Sequence, residues 1–246
     1  MNSLDTRAVQ LADNLAMVNG RIRRATDAAA RATMPALIVV TKFHPAADVR
    51  LLRGLGVADV GENRDQEAAA KAAEVADPAL RWHFIGQLQG NKAKSVVKYA
   101  HSVHSVDRAS LVAALGKAMA VQQDLDGRDA LQCYLQVDLA ESAGGSAAGP
   151  GGRGGAAPSL IPALADAVAG TPGLTLAGVM AVAPLGGDPV AAFEMLAGIS
   201  AALVRDHPAA TGISAGMSQD LEEAIAAGAT HLRVGSDILG PRPAVL

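Results

Sequence analysis

Cysteine is almost missing from this chain of 246 residues: Cys133 stands alone, so no internal disulfide can form and no cysteine cluster can hold a structural metal. A reducing compartment fits that usage. Aromatic residues are also scarce, with three Phe, two Tyr and one Trp, and their place is taken by abundant Ala, so the helices must pack through small side chains. There is no surplus of one charge. With 21 basic and 24 acidic residues interspersed and a formal net charge of −3, the chain lacks the extended basic surface that nucleic-acid binding needs. Long apolar runs are missing as well: the opening "MNSLDTRAVQLADNLAMVNGRIRRATDAAARA" is charged throughout, without the apolar core of a signal peptide or a membrane-length stretch. A cytoplasmic protein with no membrane and no nucleic-acid partner is the expectation.

What is present is an alternation. Residues 4 to 31 read as a leading helix, with Val9, Leu11, Leu15, Val18 and Ile22 recurring at roughly helical spacing. Short apolar runs then alternate with Ala-rich helical stretches: "ALIVVTK" (36 to 42), "ADVGEN" (58 to 63), "WHFIG" (82 to 86), "SVHSV" (102 to 106), "LQCYLQVDL" (131 to 139), "LAGVMAVAP" (176 to 184), "TGISAGMS" (211 to 218) and "HLRVGSDI" (231 to 238). Continuous apolar strands joined by helical crossovers imply a parallel sheet, and this number of them predicts a (β/α)₈ TIM barrel with an extra N-terminal helix, one domain over residues 1 to 246. An open doubly wound sheet is the alternative, but no G-x-G-x-x-G follows the first strand. One segment breaks the rhythm. The Gly-rich stretch 141 to 158 follows the fifth strand, and reads either as a mobile loop that carries Arg153 over the catalytic face or as a variable insertion.

Barrel chemistry gathers at the C-terminal strand ends, and here they are polar. The first strand finishes on Lys42, the second on Glu62 and Asn63, and the third runs from His83 towards Gln87, Asn91 and Lys92. Gln136 and Asp138 lie near the end of the fifth, and Met180 lies on the sixth. The seventh closes with Ser214, Gly216, Met217 and Ser218, the eighth with Arg233, Gly235 and Ser236. A lysine at a strand end ordinarily snorkels to solvent. The last two strand ends give it another reading, because loops in those positions of barrels often bind phosphate. Gly216 and Gly235 let the backbone approach an anion, Ser214 and Ser236 offer hydroxyls, and Ser218 is placed to cap the next helix. A phosphate site facing a partly buried lysine points to a phosphorylated carbonyl compound held as a Schiff base. Both a Schiff-base aldolase and a pyridoxal 5′-phosphate (PLP) binder fit; an arginine inside the barrel, able to donate to a pyridine nitrogen, favours the second.

The stretches "VVTKFHP", "VGENRDQE", "WHFIGQLQGNK", "HSVHSVDR", "GVMAVAP" and "SAGMSQDLEEAIAAGATHLRVGSDILGPR" resemble, in order and spacing, the pyridoxal phosphate homeostasis protein family, over roughly residues 8 to 242. Its members look like the N-terminal barrel of bacterial alanine racemase standing without the second domain. The resemblance implies PLP as a Schiff base on Lys42 and Arg233 facing the pyridine nitrogen. It places Ser214, Gly216, Met217, Gly235 and Ser236 around the phosphate, and Asn63, His83 and Met180 along the cofactor. Two positions depart from the family pattern: Thr41 stands where Ser often precedes the lysine, and Arg153 with Gly154 and Gly155 stands near a Lys-x-Gly element.

No catalytic residue is assigned. A racemase needs acid and base groups on the substrate, one of which in alanine racemase is a tyrosine of the missing domain. Tyr99, read in a helix before strand 4, and Tyr134, within strand 5, read as packing. The expected role is a PLP carrier or buffer in intracellular vitamin B6 homeostasis, a monomer serving apo PLP-dependent enzymes. A PLP-dependent amino-acid racemase is the alternative. Lys92, Lys94 and Lys98 read as a solvated helix face, and Cys133 as an inert core thiol.

Overall fold

The computed structural model describes residues 3–139 and 154–241. Helix α1 (Ser3–Ala28) leads into β1 (Ala36–Val40), α2 (Ala46–Gly54), β2 (Asp59–Glu62), α3 (Asp65–Val75) and β3 (Arg81–Phe84). A 3-10 turn and α4 (Ala93–Val96) precede β4 (Ala100–Val106), followed by α5 (Ala109–Asp126), β5 (Leu131–Gln136), α6 (Ile161–Ala169) and β6 (Leu174–Met180). The chain continues through α7 (Pro189–Asp206), β7 (Gly212–Ser214), α8 (Leu221–Ala226), β8 (His231–Val234) and α9 (Ser236–Leu239). The strands pair in parallel and in sequence order, and β8 returns to β1, closing an eight-stranded barrel. This is the (β/α)₈ fold expected. Among the described residues no helix is long and apolar enough to cross a membrane.

The main core lies between the strands and the helical ring, because outward strand residues such as Val39, Val60, Val103 and Val234 are fully buried against helices. Helix α1 joins that layer through Leu11, Leu15, Val18 and Ile22, spaced four, three and four residues apart. Val9 falls outside the stripe and is 54% exposed, since two residues before Leu11 is the opposite side of a helix. Polar ties fix α1 across the β8–β1 seam. Arg7 pairs with Asp48 of α2 and donates to the Leu239 carbonyl; Asn14 donates to the Ile238 carbonyl.

The strands are shorter than the apolar runs. Thr41 and Lys42 lie beyond β1, and β7 keeps only Gly212–Ser214, because the chain turns through Gly216 at φ 89°. Tyr99 belongs to the turn before β4 rather than to a helix. Its hydroxyl reaches Asp65 at 3.4 Å. Where β6 meets β7 the backbones nearly touch: Gly178 has φ 149°, and a Cβ there would lie 1.9 Å from the Gly212 carbonyl oxygen. Gly178→Ala is therefore expected to lower stability by at least about 2 kcal/mol. Urea unfolding with an unchanged slope checks this; a midpoint matching the parent's would show that β7 can move aside.

Candidate functional site

Lys42 is half-buried just past β1, and the residues on both sides of it are held. Thr41 is fully buried; its hydroxyl donates to Glu62 Oε1 at 2.6 Å, and its carbonyl accepts from Lys71 Nζ at 2.8 Å. Phe43 takes φ 69°, a left-handed conformation that costs a side chain with a Cβ. Its N–H donates to Glu67 Oε1 at 2.5 Å, and the Arg64 guanidinium lies 5.0 Å from its ring centroid. One turn apart on α3, Glu67 and Lys71 face the barrel together, and Lys71 Nζ reaches Glu62 at 2.7 Å and Glu67 at 2.6 Å. Burial pushes the Glu62 carboxyl up, against the pull of the Lys71 ammonium and the Thr41 hydroxyl. The direction in which the chain presents Lys42 is thus set by a buried charge cluster on α3.

The neighbouring strand brings the anion-facing turns alongside. The β1–β8 register aligns Val39 with Val234, so Gly235 and Ser236 emerge beside Val40 and Thr41. A Cβ on Gly235 would stand 3.0 Å from the Val40 carbonyl. On β7, Ser214 is aligned with Met180 of β6 on one side and His231 of β8 on the other. The turn that follows is fixed by the Met217 N–H, which donates to Asp220 at 2.6 Å. Ser218 does not cap α8, which begins only at Leu221; its hydroxyl lies 3.4 Å from that of Ser236 and so joins the two turns. Arg21 of α1 anchors both from outside, donating to the Ser218 carbonyl at 2.9 Å and pairing with Asp237 at 2.8 Å.

Arg233 is 4% exposed and points into the barrel. It donates to Ser214 Oγ at 2.7 Å and to the Ala181 carbonyl at 2.9 Å, and no carboxylate among the described residues forms an ion pair with it. Burial draws its pKa down to about 10, with Asp220 opposing, so it keeps its charge at neutral pH. Asn63 follows β2, and its Oδ1 is buried with no hydrogen-bond partner. Met180 is fully buried at the end of β6. Lys42, Arg233, Ser214, Gly216, Met217, Gly235 and Ser236 therefore share the ends of the adjoining strands β7, β8 and β1, with Asn63 and Met180 on the flanking strands.

His83 is placed differently. Both its ring nitrogens are engaged inside the barrel, Nε2 with Asp59 at 2.8 Å and Nδ1 with Ser102 at 2.6 Å. Tyr134 also lies inside, stacked on His104 with centroids 4.3 Å apart, and burial pushes its hydroxyl up to about 12. Cys133 is buried, its thiol likewise pushed up to about 12, as an inert core thiol would be. Lys94 and Lys98 are exposed and Lys92 is half-buried. Arg153 lies outside the described residues; after it, Gly154 and Ala156 bond back to Gln136 beside β5. The residues not anticipated as part of the site are Lys71 and Glu67, and, in the interior, Asp59, Ser102 and His104.

The chain matches the family model of the alanine racemase N-terminal domain over residues 14–243. The pyridoxal phosphate homeostasis protein of Corynebacterium glutamicum is 42% identical over 209 residues, covering 84% of this chain and 90% of the relative. PipY of Synechococcus elongatus, solved with PLP bound, superposes with a TM-score of 0.75 at 32% identity, covering 94% of this chain and 100% of PipY. Alanine racemase of Corynebacterium glutamicum shares the fold, with a TM-score of 0.64 at 12% identity over 94% of this chain and 60% of the racemase. Together with a lysine, a buried arginine and glycine-serine turns at one barrel rim, these likenesses establish that the chain belongs to the pyridoxal phosphate homeostasis protein family.

Proposed function

We propose that this protein binds PLP as a Schiff base on Lys42 and serves as a carrier or buffer in intracellular PLP homeostasis. The observation that carries the reading is Arg233, a buried guanidinium without a carboxylate ion pair among the described residues, one strand away from Lys42. The donor set fits the cofactor: an amine for its aldehyde, hydroxyls and glycine turns for its phosphate, a cation for its ring nitrogen, and the buried unpartnered Asn63 Oδ1 nearby. When bound, PLP supplies a reactive aldehyde and an electron-accepting ring.

The chain's own residues then do the following. Lys42 Nζ would supply the amine that holds the cofactor's aldehyde. Ser236 and the backbone of Gly216, Met217 and Gly235 would surround the phosphate, and Asn63 and Met180 would line the cofactor. The Ser214 hydroxyl, turned inward to Arg233 and His104, and His83, engaged by Asp59 and Ser102, would support the site from within the barrel. Arg233 keeps its proton and would offer the ring nitrogen a hydrogen bond and no charge, which would make for storage rather than for strong carbanion chemistry. The Tyr134 hydroxyl is turned to His231 at the start of β8, away from the rim, and the Tyr99 hydroxyl is taken up by Asp65, which supports a role without strong catalysis. A monomeric cytoplasmic barrel of this kind would hand PLP to apo-enzymes.

The first test is the visible spectrum of the purified protein after incubation with PLP, followed by borohydride reduction and peptide mapping. A phosphopyridoxyl group on Lys42 is the expected result. A colourless protein with no adduct would remove the PLP reading, and steady turnover of an amino acid by the loaded protein would replace the carrier with a racemase-like enzyme.

A further inference from the structure

The barrel interior beneath the rim is polar, and its hydrogen bonds run in one direction. Arg233 can only donate, and it donates to Ser214 Oγ at 2.7 Å. Ser214 Oγ lies 2.8 Å from His104 Nδ1; His104 Nε2 lies 2.9 Å from Ser102 Oγ and 3.1 Å from His83 Nδ1. Ser102 Oγ is 2.6 Å from His83 Nδ1, and His83 Nε2 is 2.8 Å from Asp59 Oδ1. Asp59, at the start of β2, can only accept, and Arg81 at the opposite rim closes the row with contacts of 2.7 and 2.6 Å. Between these two fixed ends every hydrogen can be placed.

The Asp59 carboxylate requires a proton on His83 Nε2. Arg81 already supplies the cation for Asp59, so a neutral His83 balances the charges and leaves its Nδ1 as a lone pair. Two lone pairs cannot face each other at 3.1 Å, and the single Ser102 hydrogen cannot serve both rings; His104 must therefore carry its proton on Nε2. Its Nδ1 then accepts from Ser214, whose oxygen accepts from Arg233. Each group points its positive end towards Asp59 and its negative end towards Arg233, and such a chain polarises cooperatively. Burial holds the His104 pKa well below the usual imidazole range, in keeping with a neutral ring.

We propose that Asp59, His83, Ser102, His104 and Ser214 are positioning residues, a directional hydrogen-bond chain that fixes the Arg233 guanidinium and offsets its buried charge from the far end of the barrel. Resting on the PLP reading above, the chain supplies what a carboxylate would otherwise supply while leaving no acid beside the ring nitrogen to protonate it. The chain spans β2, β3, β4, β7 and β8, so the far rim is wired to the cofactor face.

Two measurements test this. Long-range proton–nitrogen correlation spectra of the cofactor-free protein at neutral pH should show His83 and His104 both neutral with the proton on Nε2. A proton on His104 Nδ1, or a doubly protonated His83, reverses the chain and overturns the proposal. In the PLP-loaded protein, Asp59→Asn, which keeps the side-chain volume, and Ser102→Ala should shift the visible band and speed PLP release about tenfold, with Lys42 still modified on reduction. Unchanged band and release in both variants would overturn the proposal even with the predicted tautomers. If either variant fails to fold, the tautomers of the native chain still decide. Absence of any band or Lys42 adduct in the native protein would overturn the PLP reading instead, a result the histidine spectra do not depend on.

Discussion

Lys42→Ala is expected to yield a folded protein that has lost the visible band and the borohydride-stable adduct, and that releases PLP on gel filtration. The phosphate and ring contacts proposed for β7 and β8 do not involve the lysine side chain, so weak binding should persist. Loss of the covalent link should weaken retention by at least about a hundredfold, equivalent to about 2.7 kcal/mol. Thermal stability should change little, because Thr41 and Phe43 are held by Glu62, Lys71 and Glu67 whatever residue lies between them. The comparison with Lys92→Ala is informative. Lys92 lies outside the rim formed by β7, β8 and β1, and its removal should leave band and retention at parent values. An adduct that survives in Lys42→Ala and disappears in Lys92→Ala would move the cofactor to a different part of the barrel.

How much of this was legible in the sequence depends on the range of the interactions. The barrel was readable because the strands are largely buried on both faces and most write a short apolar run, and the helices between them write their own spacing. Strand ends were not readable to the residue: "ALIVVTK" runs on past Val40 because Thr41 is buried as well, its N–H still bonded to the Gly61 carbonyl of β2 and its hydroxyl to Glu62 although β1 ends at Val40. Lys42, Arg233 and the two glycine-serine turns announced themselves as polar or flexible residues where barrels place their chemistry. Lys71 gave no such sign. It sits on an Ala-rich helix one turn after Glu67, the pattern of an ordinary solvated pair, and only the approach of β2 turns that pair into a buried cluster. The interior chain was hidden for a similar reason. Its members come from five strands, and what makes them a unit is barrel closure, which a single strand's pattern does not encode. The alternate placing of Ser102 and His104 on a strand buried throughout its second half was the one available hint.

Breaking that α3 cluster should give the second large effect. In Lys71→Met the stem can still pack, but Glu62, wholly buried, loses its cation and faces Glu67 without compensation. Removing one partner of a buried pair costs about 3–5 kcal/mol, and that is the destabilisation expected at neutral pH. Its pH dependence has a definite sign. The folded-state Glu62 carboxyl lies above its unfolded value even with Lys71 present, so its contribution is most favourable below about 4.5 and is lost as pH rises through the folded value. Without Lys71 that folded value rises further. Lys71→Met should therefore be hurt most at pH 8 and much less at pH 5, where Glu62 takes up a proton, and Glu62→Gln in the same chain should recover most of the loss. The variant should also load PLP poorly, since the carbonyl of Thr41 and the left-handed turn at Phe43 both depend on the cluster. Urea unfolding at the two pH values, with and without Glu62→Gln, measures each part. An equal loss at pH 5 and pH 8 would mean that Lys71 supports the Lys42 segment through its apolar stem, and that the charge on its end carries none of the effect.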